Sequence, residues 1–236
     1  MKISYNVIIL VLSMVILVTA SGCLETPDVT PASISADALN EYGWVQVGDI
    51  TYGIHELALA NTTLTVSTAK GTYTDERLSK EIASHMQDTM ADLGVEDPME
   101  VPVFSSQMIT MRIVLPACVT LPSGPITCII DPLMETVTEA SDIQNFSKVG
   151  SREIVLNDGS TTTSNLYTGS INTGVSSISV MGTMMLWSTP ESTVFVFAIV
   201  PDGAIDLKIG TLKRTIAIVD GDQEMAEVID MVRTIE

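Results

Sequence analysis

Histidine is nearly missing from this chain: His55 and His85 are the only two in 236 residues. A histidine base needs a nucleophile paired with it, and the sequence nominates none for either. His85 sits at the edge of a helical apolar stripe, one turn from Ile82, and His55 alternates with apolar neighbours in a strand, so both read as core-edge residues. HExxH, GxSxG, a P-loop and a strand-following GxGxxG are all absent, which leaves no signature of a zincin, an α/β hydrolase, a P-loop NTPase or a dinucleotide enzyme. Positive charge is scarce too. Eleven Lys and Arg stand against 29 Asp and Glu, a net charge of −18, so nucleic acid and anionic lipid surfaces are repelled rather than attracted. No fixed-period repeat, charge run or low-complexity block occurs. No apolar run approaches the roughly 20 residues of a spanning helix.

The longest apolar run is Val7–Val18, VIILVLSMVILV, interrupted only by Ser13 and preceded by Lys2. It is too short to span and ends in small residues, the layout of a cleaved secretory signal. The small residues Ala20, Ser21 and Gly22 lead into Cys23, and this segment resembles the lipobox of prokaryotic lipoproteins, with Ala20 where that family usually has leucine. The resemblance implies cleavage before Cys23 and a thioether lipid on its sulfur. Small side chains let an extended chain enter a peptidase, and a thiol is the nucleophile that can carry the lipid. Residues 1–22 are therefore read as a signal peptide. Losing them removes Lys2 and no acid, leaving ten basic against 29 acidic residues and a charge of −19.

Residues 23–33, with Pro27 and Pro31 and no apolar period, read as a tether. Ten residues of coil span about 5 to 6 Å times the square root of their number, just under about 20 Å. Residues 34–236 are then one domain, long enough to bury about 70% of the unfolded surface. Two cysteines remain in it. In ACVTLPSGPITC, Cys118 and Cys128 are equidistant from Ser123; a hairpin closed by Pro122–Gly124 would set them opposite one another at bridging distance. The bridge would close an 11-residue loop, worth about 2.8 kcal/mol on the chain-entropy scale. Their spacing is not the CxxC of a redox pair.

Periodicity gives α plus β, with strands in the majority. Helices are expected over 35–42, over 75–93 with Thr74 as cap and Leu78, Ile82, Met86, Met90 and Leu93 as the buried stripe, from Asp131–Pro132 onward, and at the chain end. In that last helix Met225, Val228, Ile229 and Val232 should face inward, with Glu224, Glu227 and Asp230 in water. Strands are expected over 45–56, 64–73, 103–115, 152–156, 161–167 and 211–219. Ile178, Val180, Gly182, Met184 and Leu186 mark one face of another. Thr193–Val200, TVFVFAIV, is apolar on both faces, as a central strand is. VDGDQE invites a calcium reading, but an EF-hand loop from Asp220 would need Gly and Glu where Met225 and Met231 stand. A helix cap at Asp220 with Gln223 fits better. Met108 with Met111 and Met181 with Met184 resemble thioether copper pairs, yet residues three apart on a strand face opposite ways. Met181 and Met185 share a face, and core packing is the reading preferred.

The order from GSREIVLNDGSTTTSNLYTG through TVFVFAIV to EMAEVIDMVRTIE is similar to the closing half of PsbP-like and DcrB-like domains. That likeness implies a curved, mainly antiparallel sheet packed against a few helices. The lipobox, VFSSQ and GSREIV segments together resemble archaeal surface lipoproteins of uncharacterised function. Fold does not fix function, so the expectation is a non-enzymatic binding or scaffold module, lipid-anchored at the outer face of the cell membrane, with no cofactor or metal. Its partner would be the membrane, through the lipid on Cys23, and another surface protein or a small apolar ligand. Two alternatives stay open. One is a carrier of an apolar ligand, lined by residues such as Met181, Met184 and Met185; the other is a hydrolase working through paired carboxylates. Two sequons, Asn61 with Thr63 and Asn145 with Ser147, are glycan acceptors if the chain is exported.

Overall fold

A computed structural model of the chain describes residues 28–59, 62–94, 105–115, 143–172, 177–209 and 211–236. Cys23, Cys118, Cys128, Asn61 and the helix start at Asp131–Pro132 lie outside the described residues.

The fold is α+β. Among the described residues nine strands are β1 (Trp44–Gln46), β2 (Thr51–Leu59), β3 (Thr62–Asp75), β4 (Gln107–Val114), β5 (Ile143–Val155), β6 (Thr161–Asn172), β7 (Ser177–Ser188), β8 (Thr193–Ile209) and β9 (Leu212–Val219); three helices are α1 (Ala36–Tyr42), α2 (Glu76–Asp92) and α3 (Gly221–Val232). The sheet order is β1-β3-β4-β8-β7-β6-β5, with β2 also on β3 and β9 also on β8. Each of these pairings is antiparallel.

The first half of β8 lies between β4 and β7, as its two apolar faces require. Phe195, Phe197 and Ile199 enter one layer of core, with Val66, Ile113, Val180 and the α2 residues Leu78, Ile82, Met86 and Met90. Val194, Val196, Ala198 and Val200 enter the other, with Trp44, Met108, Met185, Trp187 and the α3 residues Met225, Val228, Ile229 and Val232. Alternation along β8 thus feeds two cores, one beneath each main helix. Beyond Gly203, at φ 81, β8 continues as a ribbon with β9 and sends Ile205 and Leu207 into the α2 layer. Ala32, assigned above to the tether, is buried beside α3, and the Thr110 hydroxyl donates to its carbonyl at 2.7 Å.

Local chemistry sets the helix ends. The Ser35 side chain accepts from the Ala38 amide at 3.2 Å and begins α1. Asp220 accepts from Asp222 N at 3.1 Å and Gln223 N at 3.2 Å, so the cap prevails over the calcium loop. The cap of α2 is Asp75, one residue later than Thr74. Thr74 is still in β3, its hydroxyl 2.8 Å from that of Ser105. The largest correction concerns α3: Glu224 is buried and Glu227 half-buried, not in water.

Candidate functional site

The junction of α1, α2 and α3 gathers three carboxylates around one guanidinium. Asp75 ends β3, and its amide donates to the Ser106 carbonyl at 3.1 Å. Capping turns its side chain inward, where Oδ1 accepts from Leu78 N at 2.9 Å and the residue is 0% exposed. Arg77 follows in the first turn. Its Nη2 donates to Asp75 Oδ2 at 3.4 Å, Glu224 Oε1 at 3.3 Å and Glu227 Oε2 at 3.1 Å, and its Nε to the Tyr42 carbonyl at 3.4 Å. Gly43 makes this approach possible: it holds φ 73, and a Cβ there would lie 2.8 Å from Arg77 Cβ.

Charge balance follows from this count. Glu224 is 5% exposed, and its Oε2 is buried with no hydrogen-bond partner among the described residues. Burial first, then the Glu227 charge, push its pKa up to about 7, against the pull of Arg77. Burial also raises Asp75, against its bonds to the Leu78 amide and Arg77. Arg77 is opposed by its own burial, but Asp75, Glu224 and Glu227 outweigh this and hold its pKa high. One cation faces three buried or half-buried anions, and this imbalance adds to burial in raising the proton affinity of Glu224.

Two acids held at different pKa values are the raw material of acid–base catalysis. Here, however, Asp75 has no exposed surface and Arg77 covers both acids. Glu224 forms part of the wall of a groove of about 250 Å³ that also contains Ile82, His85, Ile218 and Gln223, but Asp75 does not. The cluster therefore ties the starts of α2 and α3 together. The guanidinium fills the place a metal would need, and no group of three or more His, Cys, Asp or Glu suited to a metal ion occurs among the described residues.

A larger cavity, about 610 Å³, opens at the far end of α3. Arg112, Trp187 and Val194 rise into it from the sheet, Leu156–Asp158 come from the β5–β6 turn, and Arg233–Glu236 close it from the helix side. Arg112 shares a face of β4 with Met108 and Thr110. Its Nη2 donates to the main-chain oxygen of Glu236, while Nε is buried without a partner among the described residues. Burial lowers its pKa. No side-chain carboxylate among the described residues lies at ion-pair distance from it, whereas Arg233 is paired with Asp230 at 2.6 Å. Asp158 is held by the amide and hydroxyl of Ser160, at 2.8 and 2.6 Å, and the hydroxyl bond leads in lowering its pKa. An indole wall and a buried guanidinium N–H left to donate suit a ligand with a flat or apolar body and a hydrogen-bond acceptor.

The structure separates most of the residues singled out above. His85 is exposed beside the 250 Å³ groove, and His55 is exposed with its Nε2 3.2 Å from Thr68 Oγ1. Met108 and Met111 occupy opposite core layers; Met185 and Met181 lie in the α3 layer, and Met184 packs on the other. Those three therefore do not line one pocket. Asn145 is exposed on β5. Sequence reasoning missed Asp75, Glu224, Arg112 and Trp187 as a set. A signal existed for Glu224, which precedes buried Val228 by four residues and Met231 by seven, on the inward face. Compared with known proteins, the chain matches no family model and no curated protein.

Proposed function

We propose that the chain is an exported lipoprotein, anchored through a lipid on Cys23 at the outer face of the membrane, whose PsbP/DcrB-like body binds a ligand or a neighbouring surface protein. The observation that carries the binding role is the 610 Å³ cavity with Trp187 in its wall beside Arg112, whose buried Nε has no hydrogen-bond partner among the described residues. It falls in the size range of ligand sites, and its mixture of an apolar wall with a few convergent polar groups is the usual one. Its polar share favours a ligand carrying an acceptor over a purely apolar cargo. The sealed Asp75 weighs against the carboxylate hydrolase, because an acid without exposed surface cannot meet a substrate.

Trp187 supplies the assay. In a Trp44→Phe background, titration with short peptides bearing a free carboxylate should change its emission saturably, and Arg112→Met should weaken that response at least tenfold. Conversion of a peptide or glycan probe to product, at a rate unaffected by Arg112→Met and Trp187→Phe, would replace the binding reading with an enzymatic one.

A further inference from the structure

We infer that Asn145 carries an N-linked glycan, an inference that rests on the export reading above. The sequon supplies the residues, Asn145, Phe146 and Ser147, but any chain of this length can contain one by chance. The fold adds independent geometry. On β5, Gln144 pairs with Ser170 and Ser147 with Thr168, so Asn145 and Phe146 together oppose the single residue Gly169. That two-against-one count is a β-bulge. Asn145 holds φ 54, the one non-glycine residue at positive φ among those described, a conformation asparagine tolerates better than most.

The bulge fixes which residue points which way. Phe146 turns inward, its ring stacked on Tyr167 at 4.9 Å and 8° and edge-on to Phe197 at 6.0 Å. Two glycines clear its place: a Cβ on Gly182 would lie 2.8 Å from the ring, and one on Gly169 3.1 Å. With Phe146 anchored, Asn145 and Ser147 on either side of it are both exposed. They also lie on an edge strand, since among the described residues β5 pairs only with β6. The acceptor amide and the hydroxyl that a glycosyltransferase must read are thus presented together, on an edge with no neighbouring strand. A glycan there would also shield an edge that exposes Val149 and Val155 from pairing with other chains.

The transfer needs one co-reactant, a sugar activated as a lipid-borne phosphate ester. Asn145 Nδ2 bonds to the anomeric carbon, the bond from that carbon to the phosphate oxygen breaks, and the lipid phosphate leaves with the electron pair. The amide gives up one proton, and nothing is oxidised or reduced.

The test is peptide mass spectrometry on the full chain isolated from membranes of the cells that make it, reading the peptides with Cys23 and Asn145 together. The expected result is a saccharide mass on Asn145 that disappears in Asn145→Gln and Ser147→Ala and persists in Ser147→Thr. Ser147→Ala leaves the positive-φ asparagine in place, so its loss of mass is not a loss of the bulge. A lipidated Cys23 with a bare Asn145 overturns the glycan and leaves the export reading standing. An unprocessed N-terminus with a bare Asn145 overturns both.

Discussion

Glu224 is the residue whose protonation the fold most alters, and its effect on stability has a definite sign. Its pKa is raised from an ordinary carboxyl value to about 7 in the folded chain, so the native state binds the proton more tightly than the unfolded state does. Stability from this group is complete below the unfolded pKa, falls as pH rises through the window up to about 7, and is flat above it. Asp75, also raised by burial, adds to the fall in the same direction. Glu224→Gln keeps the size of the side chain and removes the ionisation. Relative to wild type it should gain stability across that window, up to about 3 kcal/mol at pH 8. Denaturant midpoints between pH 4 and 8 test this; equal slopes for the two proteins would mean that Glu224 stays ionised throughout. Arg77→Met should act oppositely, costing about 1–3 kcal/mol at pH 8 and less at pH 5. That range is set below the usual loss for a buried pair because the Arg77 side chain is 42% exposed.

At the scale of elements, how well each was legible follows from how local its determinants are. The stripe Leu78, Ile82, Met86 and Met90 was readable because 3.6-residue spacing alone buries it, as it does in the structure. The alternation of β7 and the two apolar faces of β8 were readable for the same reason. The start of β5 was not: it begins at Ile143 rather than near Arg152, and two register shifts break its alternation before Gly150. The second half of β8 was hidden by Pro201, Asp202 and Gly203, residues that ordinarily interrupt a strand and here continue it into the ribbon. Neither was the acid cluster legible, because Arg77 and Glu224 are 147 residues apart in sequence. The α1–α2 junction carries its own prediction. Gly43→Ala adds a Cβ at φ 73 against Arg77 Cβ, so it should cost about 1–3 kcal/mol and loosen the Arg77 contacts as well. An unchanged melting transition would show that the junction yields without strain.

The molecule as a whole pairs a filled, two-layered interior with edges that remain open. Among the described residues β2, β5 and β9 each pair on one side only, and Tyr52, Ile54 and Ile218 are exposed on β2 and β9. Strand edges of that kind favour association, which a net charge of −18 opposes. No helix of the described residues is long and apolar enough to cross a membrane, so attachment, on the proposed reading, depends on Cys23 and what precedes it. One acyl chain binds a membrane only marginally and reversibly, and stable anchoring takes two. A chain this acidic gains nothing from anionic headgroups to make up the difference. A Cys23 carrying a multi-chain lipid should therefore hold the protein in the membrane fraction through high-salt washes and release it only to detergent. Cys23→Ser should end retention of the cleaved protein, yielding either soluble mature protein in the medium or an uncleaved precursor still held in the membrane fraction by residues 1–22. The mass of the N-terminal peptide tells the two apart. Retention of a cleaved Cys23→Ser protein after salt washing would place the anchor in a protein partner instead of a lipid.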